Sequence, residues 1–298
     1  ELSQIIARTL GLREQQVANT ISLLDEGATI PFVSRYRKEA TGGMDEVQVA
    51  AVKEHNDRLR ELQHRKEYVL QTIEEQGKLT DELRERIAGC WDATVIEDIY
   101  LPFKPKRHTR AEAARKRGLE PLAEHLLRRP HDAPEQVAKR YVQGEVADVE
   151  AALHGARDII AERVSEDERS RASLRISFER TAVISSRVVK GKEAEAAKYR
   201  DYFDSSEPLR RCSSHRLLAM RRGEAEGFLR VGIVPADEAA CVERIARGYV
   251  RRGSAAEEQV MQAVADAYKR LLRPSIETEF AAASKVKADA EAIRVFAD

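Results

Sequence analysis

The chain has 298 residues, of which 42% are apolar, 34% charged and 5% aromatic, and its 51 lysines and arginines equal its 51 aspartates and glutamates. This length provides for one large or two ordinary domains, and the neutral total excludes a uniformly basic coat, which leaves local basic patches to consider. No apolar run approaches the roughly 20 residues of a membrane span, and the three cysteines form no CxxC pair. We therefore expect a cytoplasmic protein with reduced thiols and no membrane partner. The first residue is not methionine and the last ones continue a helical pattern, so we also expect a longer parent protein.

Apolar residues recur at three- and four-residue spacing along most of the chain, which predicts an all-α, mainly helical fold. One helix is predicted over residues 17–26, with Gly27 as a left-handed C-terminal cap, and Pro31 is assigned to a short turn. Residues 45–76 contain neither glycine nor proline, and apolar residues recur there at near-heptad spacing. This pattern predicts one long central helix of about 45 Å.

A short basic run, Arg35, Arg37 and Lys38, follows the turn at Pro31. Two interpretations are open: the bases face a nucleic acid, or they pair with the nearby acids of the helical frame. The second is favoured, because charge runs usually lie on solvated or paired faces. The acids within reach in sequence are Asp25, Glu26, Glu39 and Asp45.

Shorter helices are predicted after Gly77. They cover residues 81–88, a segment opened by a capping box at residues 94–97, a short helix capped by Thr109 and ending at Gly118, and residues 119–129. Their tight turns predict a helix-turn-helix-like basic module over residues 67–129, inserted into a scaffold formed by residues 1–66 and 130–298. Further helices are predicted over residues 134–143, 148–164, 194–203, 214–222, 237–248, 255–272 and 275–297. Residues 182–189 and 228–234 are candidate strands of one short β-hairpin.

The densest charge in the chain lies between residues 104 and 117, where seven bases are opposed by Glu112 alone. Pro102 and Pro105 stiffen the approach, so the bases are expected on a loop and at a helix start, a geometry that favours contacts to phosphates over reading of bases. The alternative is a basic loop that packs on the acidic 145–168 region. The candidate nucleic-acid-binding residues are Lys104, Lys106, Arg107, Arg110, Arg115, Lys116 and Arg117.

A second basic run over residues 209–222 fits a helix whose arginines form the rim of a packed core. Ser213 or Ser214 can cap this helix, and His215 beside them is interpreted as part of that helix start rather than as a nucleophile pair. Trp91 is expected to anchor a core. Phosphate-loop, dinucleotide-binding, nucleophile-elbow and zinc motifs do not occur. The sequence therefore predicts a protein that is not an enzyme, with no cofactor, no metal site and no small-molecule substrate.

Several blocks, taken in order, resemble the bacterial Tex family of transcription accessory proteins. They include LLDEGATIPFVSRYRKEATGGMDEVQ at residues 23–48, IEDIYLPFKPKRHTRAEAARKRGLEPLA at 96–123, VVKGKEAEAAKYRDYF at 188–203 and AYKRLLRPSIETEF at 267–280. The resemblance covers nearly the whole chain. It implies an N-terminal and central helical region, followed in full-length relatives by an RNase-H-like domain, helix-hairpin-helix elements and an oligonucleotide-binding-fold domain.

The resemblance also implies a role and partners. The role is a helical scaffold that contributes to non-sequence-specific nucleic-acid binding in transcription, with RNA, DNA or both as partner and RNA polymerase as a further one. The alternative is a protein-interaction scaffold that contacts RNA polymerase or another partner and never touches nucleic acid. A nuclease would require the RNase-H-like domain.

Overall fold

The computed structural model describes residues 1–297, with side chains through residue 295. The chain divides into two compact units, Glu1–Phe103 and Lys104–Asp298. The division falls inside the 67–129 segment that the sequence assigns to one module, and it coincides with the first residue of the basic segment. About 70% of the chain is helical, which confirms the predicted mainly helical class.

The N-terminal unit is built from helices alone. They are α1 (Leu2–Leu10), α2 (Glu14–Asp25), α3 (Ile30–Tyr36), α4 (Lys38–Thr41), α5 (Glu46–Glu75), α6 (Asp81–Gly89) and α7 (Ala93–Tyr100), followed by a 3₁₀ turn at Leu101–Phe103. The predicted long helix is confirmed as α5, which runs for 30 residues and starts with a reciprocal capping box between Asp45 and Gln48. It ends before Gly77, whose φ of 67° provides the left-handed turn that stops the helix.

The apolar seam of α5 serves two hydrophobic cores in succession. Near its start, Val49 and Val52 are fully buried against α1, α2 and α3. Further along, Leu62, Val69 and Ile73 pack with buried side chains of α6 and α7. Because both cores share one helix, α5 is the frame on which the shorter helices of this unit pack.

Two details of the N-terminal unit correct the sequence predictions. Pro31 lies in α3 rather than in a turn, because a proline at the second helical position leaves no needed N–H unpaired, while Thr29 Oγ1 accepts a hydrogen bond from the Phe32 amide at 3.3 Å. The start of α7 is capped by Asp92, whose Oδ1 accepts from the amides of Thr94 at 2.8 Å and Val95 at 3.2 Å. The N-cap therefore lies two residues before Thr94, the N-cap of the predicted capping box.

The C-terminal unit combines helices with a small sheet. The helices are α8 (Arg110–Lys116), α9 (Glu120–Arg128), α10 (Pro134–Ala138), α11 (Val149–Glu166), α12 (Glu168–Thr181), α13 (Ser214–Ala225), α14 (Glu238–Ala246), α15 (Glu257–Asp266) and α16 (Arg273–Ala297), and the strands are β1 (Ala182–Val188), β2 (Asp204–Pro208) and β3 (Leu229–Pro235). Helix α11 is the centre of this unit, since most of its length is buried among α8, α9, α10 and α15.

The sheet has three antiparallel strands in the order β2-β1-β3, where the sequence predicted a two-stranded hairpin. The two predicted stretches are confirmed as β1 and β3, with the buried Ile184 and Ile233 facing each other in register. Strand β2 was missed because its sequence, DSSEP, shows no apolar alternation. Backbone pairing with β1 alone defines this edge strand.

A π-helical segment, Ala267–Leu272, joins α15 to α16 without a break. The sequence predicted two separate helices here because Pro274 interrupts the pattern. Pro274 is the second residue of α16 and follows directly after this π-helical segment. A proline has no N–H to donate to the helical ladder, and the wider turn before it accommodates that loss without ending the helix.

Candidate nucleic-acid interface

The basic segment, residues 104–117, is held in shape by local backbone features. It follows the 3₁₀ turn at Leu101–Phe103 and passes through His108, whose φ of 60° is left-handed. The predicted cap at Thr109 is confirmed, with the Glu112 amide donating to Thr109 Oγ1 at 3.0 Å. The short helix α8 then carries the second half of the bases.

Two of the seven predicted binding residues point into the protein. Lys106 Nζ lies 3.1 Å from Glu162 Oε1 and also pairs with Glu166, and Arg115 lies 2.8 Å from Glu162 and 2.7 Å from Glu120. These contacts match the alternative in which the basic loop packs on the acidic 145–168 region. Lys106 and Arg115 therefore fasten the basic segment to α11 and to the start of α9.

The carboxylates that receive these bases differ in pKa. Burial alone would raise the pKa of Glu162, but hydrogen bonds and charge from Arg115 and Lys106 outweigh it, and the pKa lies below the ordinary glutamate value. Burial raises the pKa of Glu166 above that value, because Lys106 offsets only part of the desolvation. Glu162, which also accepts a hydrogen bond from Thr109 at 3.2 Å, is therefore the main anchor.

Four of the seven bases are exposed, namely Lys104, Arg107, Arg110 and Lys116, and Arg117 is half-exposed with its Nε 3.4 Å from the Ala113 carbonyl oxygen. Within residues 1–297, the side chains of Arg107, Arg110 and Lys116 meet no carboxylate or other hydrogen-bonding group. Lys106 and Arg115 thus attach the basic segment to α11, while Arg107, Arg110 and Lys116 expose their charges to solvent.

The second basic run behaves as the packed helix that the sequence predicted. Leu217 and Met220 of α13 are buried, Arg216 pairs with Glu207 at 3.0 Å, and Arg221 pairs with Glu224 at 2.7 Å. These arginines are therefore rim residues of a core.

The start of α13 departs from the predicted cap. Ser213 occupies the N-cap position without a hydrogen bond to the backbone, and its Oγ lies 3.2 Å from His215 Nδ1 instead. Among residues 1–297 no further group orients this imidazole, so the third member of a nucleophile triad is missing.

The part of the chain that the structure describes contains no group of three or more His, Cys, Asp or Glu side chains that could hold a metal ion. It also contains no helix that is long and apolar enough to cross a membrane.

Trp91 is only half-buried at the edge of its core, with Lys66 Nζ 3.7 Å above the centre of its ring. The same lysine donates to the Ala88 carbonyl at 2.6 Å, so a nearly buried ammonium is held by a carbonyl and an aromatic face. The predicted core role of Trp91 therefore includes a cation–π contact that sequence spacing does not show.

The predicted ion pairing of the basic run Arg35, Arg37 and Lys38 forms only in part, because Arg35 and Lys38 pair with no carboxylate within residues 1–297. Asp25 is engaged by Arg60 of α5 through two hydrogen bonds of 2.8 and 2.7 Å, and Asp45 caps α5. One predicted pair does form, Arg37 with Glu39 at 3.0 Å. Arg35 has no such partner because α3 buries Val33 and Ser34 and leaves Arg35 on the solvent side.

These features define a mainly helical protein that displays a local basic surface. A family model described as Tex-like protein N-terminal domain matches residues 1–74, and one described as Tex central region-like matches residues 129–296. The second match alone covers more than half of the chain, and the basic segment lies between the two. The chain belongs to the Tex family.

Individual relatives agree with this membership. The chain is 41% identical over 303 residues to the transcriptional accessory protein Tex of Neisseria gonorrhoeae and 42% identical over 305 residues to protein YhgF of Escherichia coli, in each case over 99% of this chain and 40% of the relative. It is 26% identical over 317 residues to the human S1 RNA-binding domain-containing protein 1, covering 99% of this chain and 31% of that protein. The chain therefore spans well under half the length of these relatives.

Proposed function

We propose that this chain is the N-terminal and central scaffold of a Tex-type transcription accessory protein, without enzymatic activity of its own, and that it contributes non-sequence-specific contacts to nucleic acid in the cytoplasm. The observation that carries the proposal is the basic segment, in which Arg107, Arg110 and Lys116 are exposed and meet no carboxylate within residues 1–297. The name of the human relative, which refers to RNA binding, supports a nucleic-acid partner for the family.

The mechanism of such binding follows from the anchoring. Because Lys106 and Arg115 tie the segment to α11, the exposed bases are presented from a fixed backbone and lose less conformational freedom on binding. Lysine and arginine side chains at such positions contact phosphate oxygens, which carry no sequence information. Roughly three phosphate contacts predict weak binding that is strongly reduced by salt.

The test is a comparison of two variants with equal charge change. Arg107→Glu, Arg110→Glu and Lys116→Glu together should reduce the affinity of the 298-residue chain for a fluorescein-labelled duplex by on the order of tenfold or more at low salt, measured by fluorescence anisotropy. The matched control reverses Arg129, Arg140 and Lys269, which are exposed bases outside the segment. Equal affinities of the two variants would remove the basic segment from the proposal.

A second candidate, a protein-binding scaffold, is favoured by a groove in the N-terminal unit. The groove has a volume of about 760 Å³ beside α5 and is lined by Leu59, Leu62, Tyr68 and Trp91 among others. Apolar grooves of this kind accept a helix or an extended segment of a partner protein. Co-sedimentation of the chain with RNA polymerase that is abolished by Tyr68→Glu, together with unchanged nucleic-acid affinity of the basic-segment variant, would favour this candidate over the first.

A further inference from the structure

Helix α3 exposes two aromatic rings that its own core does not use. Phe32 is 45% exposed and Tyr36 is 69% exposed, and their ring centroids lie 5.5 Å apart at an interplanar angle of 44°. Through residue 295, the only other aromatic side chain of comparable exposure is Tyr68, at 52%. Leaving two adjacent rings in water forgoes the free energy of burying them, so a partner surface is the natural explanation.

One basic side chain lies on the same face of α3 as these rings, and a second follows at the start of α4. Phe32, Arg35 and Tyr36 are spaced i, i+3 and i+4, so they share one helical face, while Val33 and Ser34 face the core. Arg35 and Lys38 are exposed and pair with no carboxylate within residues 1–297. The two rings therefore share their face with the unpaired Arg35, and the unpaired Lys38 follows two residues after Tyr36.

The segment that follows the exposed rings is fastened to α2. The Asn19 side chain donates to the Ala40 carbonyl at 2.9 Å, which fixes the end of α4. At Gly42, φ is 71°, a left-handed conformation that favours glycine, and the side chain of Gln16 packs directly against this turn. Preorganisation of this kind reduces the entropy that binding would otherwise cost.

From these observations we propose that Phe32, Arg35, Tyr36 and Lys38 form a binding surface for single-stranded nucleic acid, which we call the α3 face. Unpaired bases stack on the two rings, and Arg35 and Lys38 contact the phosphates on either side. Aromatic platforms flanked by bases are the arrangement that binds single strands without sequence preference. A duplex hides its base faces, so the α3 face should discriminate against it. This surface is distinct from the basic segment at residues 104–117.

The first test compares strands and rings. The 298-residue chain is titrated with a fluorescein-labelled 12-nucleotide single strand and with the corresponding duplex at low salt. Phe32→Leu with Tyr36→Leu should weaken single-strand binding by roughly 5- to 150-fold for each ring and leave duplex binding unchanged. Tyr68→Leu, which removes the other strongly exposed ring, is the control and should bind like the parent. Single-strand affinity unchanged in the double variant, or absent in the parent, would overturn the proposal and leave the face to a protein partner.

The second test does not depend on a ring variant that folds. A single strand carrying 5-iodouridine is irradiated with the unaltered chain, and the crosslinked peptide is identified by mass spectrometry. Crosslinks should map to the peptide containing Phe32 and Tyr36, whereas crosslinks confined to other peptides would contradict the proposal. Arg35→Gln with Lys38→Gln should in addition reduce the salt slope for the single strand by about 1.4. If single-strand binding depended only on Arg107, Arg110 and Lys116, the α3 face would have no role in it and the proposal would be overturned.

Discussion

The anchor beneath the basic segment predicts that two neighbouring glutamates, changed in the same way, give different results. The Glu162 side chain is 9% exposed and accepts from Lys106, Thr109 and Arg115, while Glu166 pairs with Lys106. Glu162→Gln removes a buried negative charge that pairs with both Lys106 and Arg115. The loss is limited because Lys106 still pairs with Glu166 and Arg115 still pairs with Glu120. The expected loss is about 3 kcal/mol of unfolding free energy, at the lower end for a broken buried pair. For a unit of about 200 residues this lowers Tm by roughly 6–12 °C.

Glu166→Gln should lower the free energy of unfolding much less, because burial disfavours the charged carboxylate of Glu166 and raises its pKa, and a neutral glutamine avoids that desolvation cost. The stability difference from the parent should change with pH in opposite directions for the two variants. The depressed pKa of Glu162 gives stability that is present above the unfolded-state pKa and is lost as pH falls, so the Tm deficit of Glu162→Gln should shrink from pH 7 to pH 4. The raised pKa of Glu166 gives stability that is lost as pH rises, so Glu166→Gln should gain on the parent toward pH 7. Differential scanning calorimetry across this range measures both, and a larger deficit for Glu166→Gln than for Glu162→Gln at pH 7 would refute the assignment of the anchor.

Three further stability predictions concern the frame. Leu62→Ala should cost about 2–5 kcal/mol, since Leu62 is 8% exposed in the second core of α5, and an unchanged Tm would show that the seam is solvated. Asp92→Ala should lower the free energy of unfolding by about 1 kcal/mol by removing the cap of α7, while Thr94→Ala should lower it by less. The reverse order in urea denaturation would show that Thr94 rather than Asp92 caps this helix. Gly155→Ala should cost about 1–3 kcal/mol because its Cβ would collide with the Leu119 side chain, whereas a variant as stable as the parent by calorimetry would mean that this side chain moves aside without cost.

The sequence predicted the fold where the signal was local. Helix α5 followed from an unbroken stretch with one apolar seam, and the start of α8 followed from Thr109. Helix α12 was missed because its sequence, ERSRASLRISFERT, is strongly polar. Its stability depends on contacts distant in sequence, such as the two hydrogen bonds from Arg175 to Glu279 at 2.8 and 3.0 Å.

The same limit applies to the candidate site. Charge density located residues 104–117, but it could not separate Lys106 and Arg115 from the exposed bases, because their partner Glu162 lies 56 and 47 residues away along the chain. The acidic 145–168 region was visible in the sequence as an alternative partner for the whole segment. The structure shows that it takes two of the bases and leaves Arg107, Arg110 and Lys116 without a carboxylate partner within residues 1–297.

The salt dependence of duplex binding tests the central claim most directly. If Arg107, Arg110 and Lys116 each contact one phosphate, the logarithm of the association constant should fall against the logarithm of salt concentration with a slope of about −2.7 for duplex DNA. The variant in which all three are glutamate should show a slope near zero, while the control variant at Arg129, Arg140 and Lys269 keeps the parental slope. Parental slope and affinity in the three-glutamate variant would contradict the account and show that the exposed bases of this segment do not bind phosphate.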